Sequence, residues 1–416
     1  MKALIAGAGP GGLTTALRLA RAGIESEVFE SAGEIRQLGV GLNLLPHAVR
    51  ELTILGLQDQ LAASAVATAE LAYYNKFGAE IWCEPRGVAA GYKWPQYSIL
   101  RPRFQQILLD AAIDRVGADH LHTGHHLASF TQDESGVTAR FMDKNSGAEA
   151  GQARGDVLIG ADGIHSVVRQ RFFPHEVLPE YSGRVLWRAT AEAPPFLTGR
   201  SMIMAGYANC KFVAYPLSET EVKPGRVLIN WVADVFVGTD KPPMPRDWNR
   251  RANKSTVLGY FSNWKYDWLD IPALIDGAEA IYEYPLVDRN PLPQWSFGRV
   301  TLLGDAAHPM YPIGSNGASQ AILDAAALST ALAGTADPVA ALKAYERERL
   351  EKTAQLVLLN RRQGPEMVMQ IVEERAPNGF TNLYDVITRA ELEEVASRYK
   401  AVAGFDRERL NALPVA

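Results

Sequence analysis

The first thirty residues constrain the fold more tightly than any other stretch of the chain. Ala3 to Ala6 reads as a short apolar strand, and Gly7, Gly9 and Gly12 follow it at once in G-x-G-x-x-G spacing. Leu13, Ala16, Leu17 and Ala20 then share one helical face, and a second strand, SEVFE, ends in Glu30, eighteen residues past Gly12. Strand, glycine turn, helix, strand and acid in that order specify a parallel βαβ unit that cradles a dinucleotide. Gly7 permits the tight turn, Gly9 lets the backbone approach a pyrophosphate, and Gly12 lets helix and strand pack closely. Pro10 and Gly11 complete the turn. Glu30, with Ser31 beside it, is placed to hold ribose hydroxyls and to repel a 2′-phosphate.

A second constraint lies late in the chain, in RVTLLGDAAHPMYPIGSNGASQAILD at residues 299–324. It predicts a strand from Val300 to Leu303, the pair Gly304-Asp305, a loop through Pro312, Gly314 and Ser315, and a helix starting near Asn316 and Gly317. The helix rests on the apolar spacing of Ala318, Ala321, Ile322, Ala325 and Leu328. Asp305 can accept from hydroxyls, and the free N–H groups of the helix start can face partial negative charge. Midway, DVLIGADGIHSVVR predicts another buried strand, Val157 to Gly160, which delivers Asp162-Gly163 to a helix with Ser166 and Arg169 in its first turns. Three such strand ends point to one extended ligand or to two ligands sharing a cleft.

Between these anchors, Gly39 and Gly41 form a flexible loop suited to close backbone approach to a ligand, and a helix follows from Pro46 to a stop at Gly56. Arg101 precedes, and Arg103 begins, a helix whose apolar face is Phe104, Ile107, Leu108 and Ala111. A cation gains nothing from the dipole there, so Arg101 suggests an anionic or hydroxyl-rich partner, while Arg103 reads as solvent-exposed. HLASFTQ and VTARFMD read as a hairpin. Residues 68–100 have strand composition, and 180–290 carry runs alternating with period two, which argue an antiparallel sheet. After residue 330 the chain is helical, with a long amphipathic helix, a break at Gly364-Pro365 and a shorter helix over 381–401. The expected organisation is an α/β, Rossmann-like body at 1–70, 97–178 and 290–335. A substrate-side sheet is inserted at 71–96 and 179–289, and helices close the chain at 336–416.

Composition excludes several classes. The 416 residues are 47% hydrophobic and 21% charged, ordinary for a chain with a large core. A net charge of -5 without like-charge runs argues against nucleic acid and against an anionic membrane surface. Cys83 and Cys210 have no disulfide or metal spacing, and none of the eight histidines pairs at ligand spacing, so no metal is expected. No apolar run approaches the ~18 residues of a membrane span, and Met1 runs directly into a strand, so a cytoplasmic protein is expected. His308 reads as a structural hydrogen-bonding residue.

GAGPGG with Glu30, DVLIGADGIHSVVR and LLGDAAHPMYPIGSNGASQAILDA, in that order, resemble the class A flavoprotein monooxygenases, which share the p-hydroxybenzoate hydroxylase fold. PRGVAAG, PQYSILR and VDRNPLP are similar to the phenazine carboxylate and salicylate-type hydroxylases within that family. The resemblance covers about residues 1–360. It implies one non-covalent FAD, with NAD(P)H as co-substrate. The glycine turn and Glu30 would take the ADP half, Leu127 would contact the adenine through its backbone, and Asp305 would hold the ribitol. The loop from Pro312 to Asn316 would run along the isoalloxazine, and Arg101 would reach the flavin side. Asp162-Gly163 matches a pair shared between the FAD pyrophosphate and transient NAD(P)H.

The implied reaction adds O2 at flavin C4a and passes an OH equivalent to an electron-rich aromatic ring. Trp187, Arg188, Tyr215 and Trp231 lie on the inserted sheet, and alternation puts Trp187 and Arg188 on opposite faces, so at most one of that pair faces the pocket. Arg188 and Tyr215 are candidates to hold a substrate carboxylate or phenolate, and Pro312 is the third residue placed at the reaction centre. Partners are therefore a small aromatic molecule, O2 and NAD(P)H, with a homodimer left open. An FAD reductase or dehydrogenase of the same fold, an ordinary NAD dehydrogenase and a non-catalytic flavin binder are the competing readings.

Overall fold

The computed structural model describes residues 1–35, 40–176, 178–218, 222–239 and 250–414. Its organising layer is a six-stranded sheet in the order Ser296–Phe297, Val300–Leu302, Val157–Gly160, Lys2–Ala6, Glu25–Phe29 and Leu121–His122. All neighbours are parallel except the first pair. Residues 3–6, 157–160 and 300–302 of the central strands are buried and, Thr301 apart, carry no polar side chain, as a parallel sheet covered by helices requires. Register aligns Ala6 with Gly160 and Gly160 with Leu302. The glycine turn after Ala6, Asp162-Gly163 and Gly304-Asp305 therefore leave the sheet side by side at one edge.

Helices Pro10–Arg21 and Gly317–Ala333 lie against this sheet and against each other. Small residues set their approach. A Cβ on Gly11 would lie 2.7 Å from Leu303 Cδ2 and 3.3 Å from the Ala321 Cβ. Gly7 turns at φ +106, and a Cβ there or on Gly12 would strike the carbonyl oxygen of Ala161 or Gly7 respectively. The long helix Pro338–Arg361 backs the layer, with the Tyr345 hydroxyl donating to the Leu302 carbonyl at 3.0 Å.

A seven-stranded sheet stands over the open edge, in the order Tyr282–Asp288, Glu180–Ala193, Val227–Phe236, Cys210–Ser218, Ser201–Tyr207, Glu70–Tyr74 and Glu80–Pro85. It is antiparallel apart from the pairing of Ser201–Tyr207 with Glu70–Tyr74. Alternation gives it two buried faces. Trp187, Ala189, Phe212 and Trp231 pack outward with Val257, Phe261, Ile271 and Ile275 of the helices Lys254–Phe261 and Ile271–Gly277. Leu186, Met202, Met204, Val213, Tyr215 and Val232 face inward, toward Ile313 and the helix Met367–Arg375.

The last long helix starts at Arg389 and runs to Ala403, later than the 381–401 span expected. Thr388 and Glu391 form a capping box that fixes its start, and residues 383–385 make only a single tight turn. Among the described residues no helix is long and apolar enough to cross a membrane.

Gly12→Ala forces a methyl group into the Gly7 carbonyl at the tightest point of the first turn. Overpacking there is expected to cost about 3 kcal/mol. Thermal unfolding of the variant checks this as a lowered Tm.

Candidate active site

The space between the parallel-sheet edge and the inner face of the large sheet is a cleft of about 1290 Å³, continuous with solvent. Gly9, Pro10 and Gly11 line one end, Gly163, Gly304 and Asp305 the middle, and Pro312, Ser315 and Gly317 the wall toward the large sheet. A Cβ on Gly9, Gly163 or Gly317 would meet nothing within 4 Å, so backbone is bare to the cleft at all three positions. The helices that begin there, at Pro10 and Gly317, have no side-chain cap on their first N–H groups. Two uncapped helix starts facing one cleft leave donors and positive dipole ends for a ligand with two electron-rich parts.

Asp305 is exposed into this cleft. Crowding by protein raises its carboxyl above the ordinary value, with His308 and Arg101 pulling it back down. Behind it, Asp324 is wholly buried and accepts from the Gly304 N–H at 3.1 Å, from Arg349 Nε at 2.7 Å and from His308 Nε2 at 2.5 Å. Burial pushes the Asp324 carboxyl up, but His308 and Arg349 outweigh it and hold it at about 2. Arg169 reaches across from the helix after Asp162-Gly163, donating to the Ala307 carbonyl at 2.9 Å and pairing with Glu176 at 2.6 Å. The two strand-end motifs are thus tied to each other beneath the cleft.

The loop before Gly317 is held in an unusual shape. Gly314 and Ser315 both have positive φ, +65 and +58, and Ser315 is one of three non-glycine residues with this backbone among those described. Tyr399 of the C-terminal helix donates to the Ile313 carbonyl at 3.0 Å and accepts from Asn316 Nδ2 at 2.9 Å. A Cβ on Gly314 would collide with the Tyr399 hydroxyl. On the other side, Gly41 donates its N–H to Asn230 Oδ1 at 2.6 Å, and a Cβ on it would lie 2.9 Å from Tyr215 Cε2. The glycine thus lets the strand Gly41–Leu44 lie on the large sheet while its other side lines the cleft.

Arg101, Arg188, Tyr215 and Tyr284 gather where the cleft meets the large sheet. Burial lowers Arg101 and Arg188 adds to it, with Asp305 partly compensating. Burial lifts Tyr215 to about 12 against the pull of Arg188 and Arg101. Arg188 Nε is buried with no hydrogen-bond partner among the described residues. Beyond this corner the cleft continues into a narrower chamber, sharing Asn43, Arg188, Tyr215, Pro312 and Ser315 with it. Leu186, Met202, Met204, Val213 and Val232 make its sides apolar.

Of the residues singled out in the sequence, Gly9, Pro10, Gly11, Gly41, Arg101, Gly163, Arg188, Tyr215, Gly304, Asp305, Pro312, Ser315 and Gly317 share this one cleft. Gly7 and Gly12 shape the turn behind it. Glu30 accepts from the Ala8 and Ala32 N–H groups at 2.9 Å and from the Ser31 hydroxyl at 3.0 Å, beside the turn. The Leu127 side chain goes into the core. Asp162 accepts from the Val167 N–H at the start of the following helix at 2.7 Å, and Asn316 is turned inward to Tyr399 and Gln320. Gly39 lies outside the described residues. Trp187 and Trp231 pack away from the cleft, in the outer core. Arg103 hydrogen-bonds Ser64 at 3.0 Å on the surface.

Sequence reasoning did not single out Asn43, Asn230, Lys211, Asp234, Glu366 or Tyr399. Period-two alternation along Lys211, Val213 and Tyr215 carried a signal for the first sheet position, since the three share one face. Away from the cleft, Glu25, Glu27 and His120 could together offer three ligand atoms to a cation, and Lys2 pairs with Glu27 there at 2.7 Å.

The donor set fits FAD. Bare glycine backbone and an uncapped helix start suit a pyrophosphate, Glu30 stands by the first turn for a ribose, Asp305 is free for ribitol hydroxyls, and the second helix start faces the space left for a flat ring. A family model described as FAD binding domain matches residues 1–183 and 286–359. The phenazine 1,6-dicarboxylic acid hydroxylase PhzS of Lysobacter antibioticus is 46% identical over 363 residues, 86% of this chain and 88% of the relative. The 3-hydroxybenzoate 6-hydroxylase of Polaromonas naphthalenivorans is 33% identical over 383 residues, 90% of each. Klebsiella pneumoniae HpxO, solved with FAD and uric acid, shares the fold at a TM-score of 0.72 and 24% identity, over 99% of this chain and 95% of that one.

Asp324→Asn leaves the Arg349 guanidinium buried without its anion and is expected to cost about 3–5 kcal/mol. The folded carboxyl titrates below its unfolded value of about 3.9, so its stabilisation is complete above about pH 4 and is lost as pH falls toward 2. Urea unfolding of both proteins across this range tests the point: the gap between them should narrow below pH 4.

Proposed function

The chain belongs to the FAD-binding-domain family of aromatic hydroxylases, and we propose that this member hydroxylates a planar, carboxylated aromatic of more than one ring, with its acid held at Arg188. It is an FAD-dependent monooxygenase that consumes NAD(P)H and O2. The observation that carries the substrate reading is the join between cleft and chamber: a guanidinium whose Nε has no partner among the described residues, at the mouth of a space with apolar sides.

In this reading the glycine turn, Glu30 and Asp305 would hold FAD, with Pro312 to Gly317 completing its site. The chemistry FAD would supply there is activation of O2 after its reduction by NAD(P)H. The protein's own part is placement and dryness. Arg188 takes the substrate carboxylate, where two parallel N–H bonds fix both position and orientation. Tyr215 keeps its phenolic proton at neutral pH and is a neutral donor to an oxygen on the ring. The apolar walls exclude water from the ring to be attacked. The helix start at Gly317 favours negative charge on the part of the reduced cofactor nearest it.

The relative that acts on phenazine 1,6-dicarboxylic acid supports a tricyclic substrate over a single ring. A panel of aromatic acids tests this through O2 uptake, NAD(P)H oxidation and product mass. Tricyclic acids should turn over with one oxygen atom gained, or with carboxylate replaced by hydroxyl. Monocyclic acids turning over equally well would overturn the polycyclic reading. Arg188→Met should raise KM for the acid about tenfold or more, because a hydrogen bond to a charged group contributes about 1.5–3 kcal/mol. Flavin content, read from the visible spectrum, should stay at the wild-type level.

A further inference from the structure

The end of the chamber farthest from the cleft is charged. Lys211 is bound to Glu366 and lies 3.1 Å from Asp234 Oδ2, and Arg184 Nε donates to Asp234 Oδ1 at 2.7 Å. Lys211, Asp234 and Glu366 are 7%, 4% and 3% exposed. Two cations against two carboxylates leave the group neutral overall. Such a cluster is costly to bury and contributes little stability compared with an apolar filling. An ammonium has three N–H donors, and the two acids account for two of them among the described residues. Glu366 and Asp234 outweigh the downward push of burial on Lys211 and raise its pKa, so it is a cation at neutral pH.

Register sets the distance from this group to the reaction end. Lys211 lies opposite Asp234, Val213 opposite Val232, and Tyr215 opposite Asn230. Arg188 also lies opposite Val232, so it is two residues along and two strands across from Lys211, about 7 Å by about 10 Å at the usual strand rise and spacing. A single benzene ring anchored at Arg188 does not cover that length, and a fused tricycle with substituents at both ends does. Glu366 sits on the short turn Gly364–Glu366, after Gly364 at φ +49, and also borders a second space of about 810 Å³ on the far side of the cluster. Its side chain therefore has somewhere to go.

We propose that Lys211 is a specificity-determining residue that takes a second carboxylate, on the substrate ring farthest from Arg188, with Glu366 as the partner it exchanges. This rests on the polycyclic reading above. Glu366 holds the ammonium while the chamber lacks the acid, and the incoming carboxylate replaces it as acceptor. The substrate class is a dicarboxylated tricyclic aromatic, bound by one cation at each end.

Two probes that differ only in the distal group test the idea, phenazine-1,6-dicarboxylate and phenazine-1-carboxylate. Each is titrated into oxidised holoenzyme without NAD(P)H, and Kd is read from the flavin absorbance change. The wild type should bind the dicarboxylate at least about tenfold more tightly. In Lys211→Met/Glu366→Gln, which removes one charge of each sign and leaves Asp234 with Arg184, that preference should disappear while the monocarboxylate Kd is unchanged. Glu366→Gln alone leaves Lys211 with Asp234 as its one acidic partner in the cluster and should tighten dicarboxylate binding several-fold, a gain that a folding defect does not mimic and that decides the matter if the double variant fails to fold. Equal wild-type affinity for the two probes overturns the proposal alone, as does a preference that survives the double variant or a single variant that gains nothing. A wild type that binds neither overturns the polycyclic reading and this proposal with it.

Discussion

Three parallel strands that end in register are the constraint on which this molecule depends. Lys2–Ala6, Val157–Gly160 and Val300–Leu302 stop at adjacent positions of one sheet edge, so turns far apart in sequence open onto one cleft. Each turn leaves the sheet sharply, and glycines at Gly7, Gly163 and Gly304 supply the positive φ that this demands. The turns are also fastened to one another. Arg169 joins the second to the third through the Ala307 carbonyl, and Asp324 gathers Gly304, His308 and Arg349 below the third. A ligand spanning the cleft therefore meets a surface already organised before it arrives, which lowers the ordering cost of binding.

The large sheet solves a different problem. Its outer face is an ordinary core against two short helices, where Trp231 is wholly buried. The inner face has to be apolar enough to exclude water and polar enough to orient a small aromatic substrate. Strand alternation makes the combination available, because the inner positions can be chosen independently of the outer ones. Tyr215 sits at the cleft end, Arg188 lies two strands across and level with Val213 and Val232, aliphatic and methionine side chains fill the space between, and Lys211 with Asp234 stands at the far end. Polar groups thus bracket an apolar middle.

How much of this could be read from the sequence follows from how local each determinant is. The glycine turn, Asp162-Gly163 and Gly304-Asp305 are legible because strand, turn and helix start are contiguous in the chain. The alternation that separates Trp187 from Arg188 is equally local, and the structure places Arg188 on the cleft and Trp187 in the outer core. Gly41 was legible as a special position, though its contact with Tyr215 depends on residues far along the chain. Asp162 and Asn316 show the limit on short polar side chains near a ligand loop. They can face the ligand or satisfy nearby backbone, and in this structure Asp162 accepts from the Val167 N–H while Asn316 supports Tyr399. Lys211, Asp234 and Glu366 come from three separated segments, so no window of sequence contains their relationship.

Tyr399 shows how far such a non-local dependence reaches. Ser315 sits in a backbone region that costs a non-glycine residue on the order of 1 kcal/mol or more, and Gly314 beside it is also left-handed. Local preference alone would let this loop relax. The Tyr399 hydroxyl prevents it by bonding the Ile313 carbonyl and receiving the Asn316 amide, while its ring occupies the space a Gly314 side chain would need. Gln320, one turn into the helix, donates to the Ala403 carbonyl at 2.9 Å and fastens the same helix end to the C-terminal segment. The wall of the cleft between Pro312 and Gly317 is therefore completed by residues about eighty positions further on, on a helix whose capping box defines its own start. A substitution on the buried face of that helix acts on the cleft as directly as one in the loop, because both change the same hydrogen bonds.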